Sequence, residues 1–307
     1  MSSPTPENVI FGIFGNIEKP AALEAVRLTL EFMEKRGISF IVEKEVADLF
    51  ETPGGAERDR ASRSEIARRA DVVIVFGGDG TLLAGIQHTL SHSTPLLGVN
   101  LGKLGFLADV GVDEVFWAID EILASRYTVE ERMTLSGRRA GEEHMYSALN
   151  DIVLAKSGKA KVISIDAYVD DEFLASFHAD GIIISTPTGS TAYSLATGGP
   201  VVVPSSNVIV ISPISAHTLT ARPVIVDGDS VITVCASTEE GSVMAMADGV
   251  TILQDQTSIE IEISRGIHNV VLVKGLGPKY FETLRTKLSW AQDNRFRAET
   301  QTPRRTY

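Results

Sequence analysis

The run Gly77-Gly78-Asp79-Gly80-Thr81 closes the short apolar segment "DVVIVF" and leads directly into "TLLAGIQHTL". Glycines at such a junction let backbone amides approach a phosphate, and the start of a helix favours negative charge. A lone carboxylate in the middle opposes a bare phosphate, yet it suits a Mg²⁺ ion or a hydroxyl group. The segment is not a Walker A loop, because no Gly-Lys-Ser/Thr follows. Leu83 also stands where a dinucleotide fingerprint needs its third glycine. A tight structural turn would draw on the same residue types. A second glycine-rich stretch, "GVNLGKLGFL" (98–107), reads either as a turn packed on the first or as a ligand contact. Asn150 and Asp151 in "LNDIVL" either begin a strand or hold ribose hydroxyls.

The densest polar signal is "HADGIIISTPTGSTAYSLATGGPVV" (178–202). Asp180 precedes an apolar run, and Thr186, Thr188, Ser190, Thr191 and Tyr193 then fall within a single short turn region. Ser190 or Thr191 alone would cap a helix. The surplus of hydroxyls points to a pocket for the polar edges of a nucleotide. His217 reads as a packed or hydrogen-bonded histidine in preference to a base. Arg222 is either a phosphate or interface cation or a surface ion pair.

These residues need elements to hold them. Over the first 125 or so residues, strands ("VIFGIFGN", "ISFIVEKEV", "DVVIVF", "PLLGVNLG") alternate with helices ("AALEAVRLTLEFMEKRG", "TLLAGIQHTL", "VDEVFWAIDEILAS"). Such alternation predicts a Rossmann-like parallel sheet covered on both faces. Gly37 is the expected stop of the first helix, and "ETPGGAERDRAS" the expected surface loop. After about residue 126 the chain becomes a series of short β-rich segments separated by Asp-Asp, Asp-Gly and Gly-Asp turns, which predicts an antiparallel, sandwich-like domain with one helical insert, "STAYSLATGG". "KYFETLRTKLSWAQ" predicts a closing helix that returns to the first domain. The resulting division is 1–126 plus 278–292, then 127–277, with 293–307 as a disordered tail.

Composition narrows the partners. The 307 residues are 44% hydrophobic and 22% charged, with a net charge of −12, the balance of a globular protein. A nucleic-acid groove needs a basic surplus, so nucleic acid is not expected, although a local basic pocket remains compatible. Cys235, the sole cysteine, excludes an intramolecular disulfide and a Cys-rich metal site. In "SVITVCAST" it reads as a small buried hydrophobe. The opening residues lack the pattern of a signal peptide, and no apolar run reaches the roughly 20 residues of a membrane helix. A cytoplasmic protein without membrane contact is expected.

In order along the chain, "FGGDGTLL", "GVNLGKLGFL", "LNDIVL", "DGIIISTPTGSTAYSLATGGP" and "PISAHTLTARPVIV" resemble the motifs of the NAD kinase family. The likeness runs from about residue 9 to about 290. GGDG is shared with diacylglycerol, sphingosine and phosphofructokinase relatives, whereas the STPTGSTAY stretch is far more specific. The resemblance implies transfer of the γ-phosphoryl group of MgATP, or in some members polyphosphate, to the 2′-hydroxyl of NAD's adenosine ribose. By position, Asp79 resembles the catalytic base, with Gly80 beside the NAD diphosphate. Asn150 and Asp151 match the ribose-contacting pair. Asp180, Thr188, Thr191, Ala192 and Tyr193 match the adenine and nicotinamide pocket, which in this family forms between subunits, and Ser194 and Ala196 continue that stretch. Lys161 and His178 fall where relatives place varied polar contacts.

On this resemblance no residue is a resident metal ligand. Mg²⁺ or another divalent cation accompanies ATP, NAD is the substrate, and the assembly is a homodimer or homotetramer. Gly77, Gly78 and Gly80 are then expected to clear space for phosphates while Asp79 faces the attacking hydroxyl. Two departures stand out: Asp151 where relatives usually carry Glu, and His178 where many bacterial relatives carry Arg. Two other readings share parts of the pattern. A GGDG-type lipid kinase would need an apolar cleft for an acyl chain. A non-catalytic NAD(P)-binding regulator would not need Asp79.

Overall fold

The computed structural model describes residues 9–16, 18–50, 59–102, 105–277 and 279–290. The chain forms two compact units. The first runs to Glu130 and resumes at Leu272; the second spans Glu131–Val271 together with Leu90–Ser93.

The first unit opens with β1 (Phe11–Gly15), α1 (Pro20–Arg36), β2 (Phe40–Glu43) and α2 (Lys44–Ala47). It continues through β3 (Arg60–Ala61), α3 (Arg63–Arg69), β4 (Val72–Phe76) and α4 (Asp79–Thr89). Then come β5 (Leu96–Asn100), β6 (Val110–Gly111), α5 (Val115–Leu123) and β7 (Thr128–Arg132). Strands β2, β1, β4 and β5 pair in parallel. Every residue of β1, β4 and β5 is buried, which is why these strands read as unbroken apolar runs with no alternation. Gly37 ends α1 at φ +67, as expected of a left-handed helix stop.

Two local readings change. The strand expected over "ISFIVEKEV" ends at Glu43, and Lys44–Ala47 turns helical. Ser62 and Glu65 form a reciprocal capping box that starts α3, a helix the loop reading of 51–62 does not anticipate. Residues 51–58 of that loop lie outside the described residues.

The second unit contains β8 (Leu135–Arg139), β9 (Met145–Ala148), β10 (Asp151–Ser157), β11 (Ile163–Val169), β12 (Glu172–Ala179) and β13 (Gly181–Ser185). The short α6 (Tyr193–Ala196) precedes β14 (Val208–Ile214), β15 (Val224–Asp227), β16 (Ile232–Ser237), β17 (Ser242–Ala247), β18 (Val250–Gln256) and β19 (Ser258–Arg265). Among the described residues these form two antiparallel sheets, ordered β15-β14-β13-β10-β17-β18 and β12-β11-β16-β19-β8-β9. Ile152, Leu154, Ile182 and Ile184 of the first share one core with Ile165, Val234, Ile261 and Ile263 of the second. Cys235 corrects its sequence reading. It alternates with the buried Val234 and Ala236, so it is half-buried on the opposite face, paired in register with Glu260.

The chain returns with β20 (Val270–Lys274) and α7 (Tyr280–Lys287), completing the first sheet in the order β3-β2-β1-β4-β5-β20-β7, with β6 beside β5. The division by contact therefore falls at Glu130/Glu131 and Val271/Leu272, not at 126/127 and 277/278. The physical reason is that most of β7 and β20 joins the parallel sheet. The tail 293–307 lies outside the described residues.

Candidate active site

In the first unit, the Gly77–Thr81 turn sits where β4 ends and α4 begins, the usual ligand position of an open parallel sheet. Asp79 opens α4, but its carboxylate is already engaged. Oδ2 accepts the Phe106 backbone N–H at 3.0 Å, and Oδ1 accepts those of Leu107 at 3.2 Å and Ala108 at 3.4 Å. The second glycine-rich stretch thus packs on the first. A Cβ at Gly105 would lie 2.1 Å from Asp79 Oδ1, so the loop approaches this closely because residue 105 has no side chain. Lys103 and Leu104 lie outside the described residues.

The three glycines of the turn do different work. A Cβ at Gly77 would lie 2.3 Å from Thr81 Oγ1, so Gly77 makes room for a neighbouring side chain and not for a ligand. Gly78 and Gly80 have open space at that position. Beside them is a cleft of about 310 Å³ lined by Gly15, Asn16, Glu18, Arg63, Gly80 and Thr81. Arg63 donates from Nε to Glu43 Oε1 at 2.6 Å and from Nη2 to Oε2 at 3.2 Å, and its guanidinium lies 5.4 Å from the Phe14 ring centroid. A fixed guanidinium suits phosphate oxygens. Sequence reading missed this residue; its signal was the Ser62/Glu65 capping box that straddles it.

In the second unit, Asn150 and Asp151 are knit to the polar turn 186–190. Thr186 N–H donates to Asn150 O at 2.9 Å, and Thr186 Oγ1 to Leu149 O at 2.6 Å. A Cβ at Gly189 would lie 2.1 Å from Asn150 O. Several of the hydroxyls expected in a pocket instead build this turn. Thr186 Oγ1 accepts from Gly189 N–H at 3.0 Å, while Ser190 Oγ donates to Pro187 O and accepts from Val202 N–H. Thr188 is buried, and its hydroxyl accepts from Arg132 Nη1 at 3.3 Å. Ser194 is wholly buried with its hydroxyl against Ser212, so its side chain serves packing. Thr191 is half-buried, and Ala192, Tyr193 and Ala196 are exposed. Neither Ser190 nor Thr191 caps α6, whose N-cap position is Ala192.

Asp180 pairs with Lys156 Nζ at 2.6 Å, and that ammonium also donates to Lys161 O at 3.0 Å. The Lys161 side chain itself is exposed, as is His178, whose Nδ1 lies 3.3 Å from Ser164 Oγ. Lys156 is a second residue that sequence reading missed. A third is Asp248, which accepts the backbone N–H groups of Leu149 and Asn150 at 2.7 Å each and of Asp151 at 3.2 Å. Burial, reinforced by the Asp248 charge, pushes the Asp151 carboxyl up to about 7. His217 and Arg222 are both exposed, and Arg222 Nη1 donates to the Leu219 and Ala221 carbonyls. No described helix is long and apolar enough to cross a membrane.

The sequence matches two domain families, ATP-NAD kinase N-terminal domain over residues 11–127 and ATP-NAD kinase C-terminal domain over residues 149–275. The NAD kinase of Geotalea daltonii is 38% identical over 283 residues, covering 91% of this chain and 98% of its own length. That of Heliobacterium modesticaldum is 40% identical over 242 residues, covering 78% and 83%. Among solved structures, yeast NADH kinase complexed with NADH superposes with a TM-score of 0.85 at 25% identity, covering 94% of this chain and 89% of that one. An NAD kinase from Archaeoglobus fulgidus in complex with ATP gives 0.72 at 23% identity, covering 92% and 99%.

Proposed function

Since the chain belongs to the NAD kinase family, phosphorylating NAD with ATP, we propose that Asp79 orients the 2′-hydroxyl of the adenosine ribose and takes its proton. The observation that carries this reading is the clamp on the Asp79 carboxylate. A carboxylate offers about four acceptor positions. Phe106, Leu107 and Ala108 take three, which leaves one on Oδ2 and fixes its direction. Phosphoryl transfer depends on positioning and charge neutralisation far more than on covalent chemistry. An immobile acceptor is what an attacking hydroxyl requires.

The donor triphosphate enters the cleft beside Gly80 and Thr81, where Arg63 meets its negative charge. Mg²⁺ arrives as part of the MgATP substrate and supplies charge neutralisation on the transferring group. The cleft fits that ion: the Thr81 hydroxyl lining it is a hard oxygen donor, while the remaining Asp79 position stays with the ribose hydroxyl. Few protein ligands suffice, because Mg²⁺ keeps several of its waters.

NAD binding falls to the second unit. Asn150 and Asp151 meet the ribose. Asp180, Thr191 and the exposed Tyr193 receive the polar edges and faces of the bases, with Lys156 holding Asp180 in place. Tyr193 and Ala196 stand open for a partner subunit, and the active assembly is a homodimer or homotetramer in the cytoplasm. The test is NADP formation from NAD and MgATP, read by a coupled dehydrogenase, in the parent and in Asp79→Asn. Loss of turnover with retained NAD binding supports the assignment; turnover within a few-fold of the parent refutes it.

A further inference from the structure

Asp151 is 5% exposed, and no described residue donates a hydrogen bond to its carboxyl. Burial disfavours the charged form of a carboxyl, so a nearly buried one points either to a retained proton or to a ligand that completes it. Asp248 is its charged neighbour. It sits in the turn after β17 at φ +49, and its own N–H donates to Asp151 O at 3.0 Å while its carboxylate gathers the N–H groups of residues 149–151. The contact is therefore reciprocal and leaves little freedom to the Asn150–Asp151 corner.

Among the described residues, Asp248 is the charged group that acts on Asp151. Ser185 of β13 lies opposite it in the ladder, and Ala247 of β17 precedes Asp248. The buried Arg132 directs Nη1 to Thr188 Oγ1. Asp248 is itself half-buried, and two neighbouring carboxyls, one of them buried, cannot both ionise freely.

We propose that Asp248 is a positioning residue for NAD phosphorylation, fixing the Asn150–Asp151 corner and keeping a proton on Asp151, which then meets a ribose hydroxyl as hydrogen-bond donor. This rests on the reading that Asn150 and Asp151 contact ribose. The upward shift of both carboxyls, with burial as the leading cause, agrees with a proton held within the pair. The three N–H donors favour the charge on Asp248, so the proton belongs with Asp151.

The test is NAD affinity by calorimetry between about pH 6.5 and about pH 8.5, on the parent, Asp151→Asn, Asp151→Ala and Asp248→Asn. Parent affinity is expected to fall by at least roughly tenfold across that range as the donor proton is lost. Asp151→Asn supplies an amide N–H at every pH. It should lose the pH step and bind NAD about tenfold more tightly than the parent at the upper end. A step that persists in Asp151→Asn arises from another group and overturns the proposal. So does an Asp151→Asn protein that binds NAD more weakly than the parent at about pH 8.5, which would mean that Asp151 acts as an anion. Asp151→Ala separates the two readings: if NAD affinity does not change, the ribose contact itself is wrong. For Asp248→Asn the step should move below about pH 6.5, and an unmoved step refutes Asp248's part. Carboxyl ¹³C titration of the folded parent decides the same point without any variant. One carboxyl still protonated near neutral pH supports the pair, and two carboxylates already ionised at about pH 5 overturn it.

Discussion

Replacing Gly105 with Ala tests whether the loop sets the position of Asp79. The added Cβ would lie 2.1 Å from Asp79 Oδ1, against a floor of 3.0 Å for real contacts, so either group must move by about 1 Å. If the Asp79 side chain swings away, it leaves the N–H groups of Phe106, Leu107 and Ala108. If the loop retreats, the same bonds lengthen. A hydrogen bond to a charged group contributes about 1.5–3 kcal/mol, so Tm should fall by roughly 3–10 °C. A misplacement of about 1 Å at the reacting centre costs on the order of 10²-fold in kcat. NAD affinity should move far less, because no second-unit contact is altered. Gly102→Ala is the control: it changes the same loop at a position with nothing within 4 Å of the added carbon. The assay pairs steady-state kcat at 25 °C with calorimetric NAD binding. If Gly105→Ala retains kcat within a few-fold of Gly102→Ala, the clamp does not position the base, and the argument from it fails.

Asp79→Asn should lower kcat by about 10²–10⁴-fold, and its stability should fall as well. An amide has one acceptor oxygen, whereas both oxygens of Asp79 accept backbone N–H groups; thermal melting would show the loss. Lys156→Met should raise the KM for NAD several-fold and leave the KM for ATP unchanged. Its effect on stability should stay below about 1 kcal/mol, because the pair with Asp180 is about one-third exposed. Arg63→Met should raise the KM for ATP and lower Tm, since it leaves the buried Glu43 carboxylate without its cation. With Asp151 raised to about 7, the native chain holds a proton that the unfolded chain has lost. Its contribution to stability is therefore full below about pH 4 and lost as pH rises to about 7. Asp151→Asn lacks this loss, so calorimetry should find its Tm rising relative to the parent's across that window.

Periodicity and punctuation were enough to define the two kinds of layer. Short unbroken apolar runs closed by glycine, such as "DVVIVF", read as strands buried on both faces, and alternating runs such as "SIEIEIS" as strands with one face to a core. Local chemistry likewise marked Asp79, Asn150, Asp151 and Asp180, because glycine turns and polar strand ends are written in adjacent residues. What sequence could not assign was which atoms these side chains meet. Gly105 contacts Asp79 across 26 positions, and Asp248 contacts Asn150 across 98. Thr186 and Ser190 looked like pocket hydroxyls until the turn's own carbonyls and N–H groups claimed them. Such partners are set by strand register and loop return, which depend on the whole core and leave no local pattern. The sequence named the groups with chemistry; the tertiary structure decided which of them are free to use it, because hydrogen-bond partners are a property of space and not of spacing.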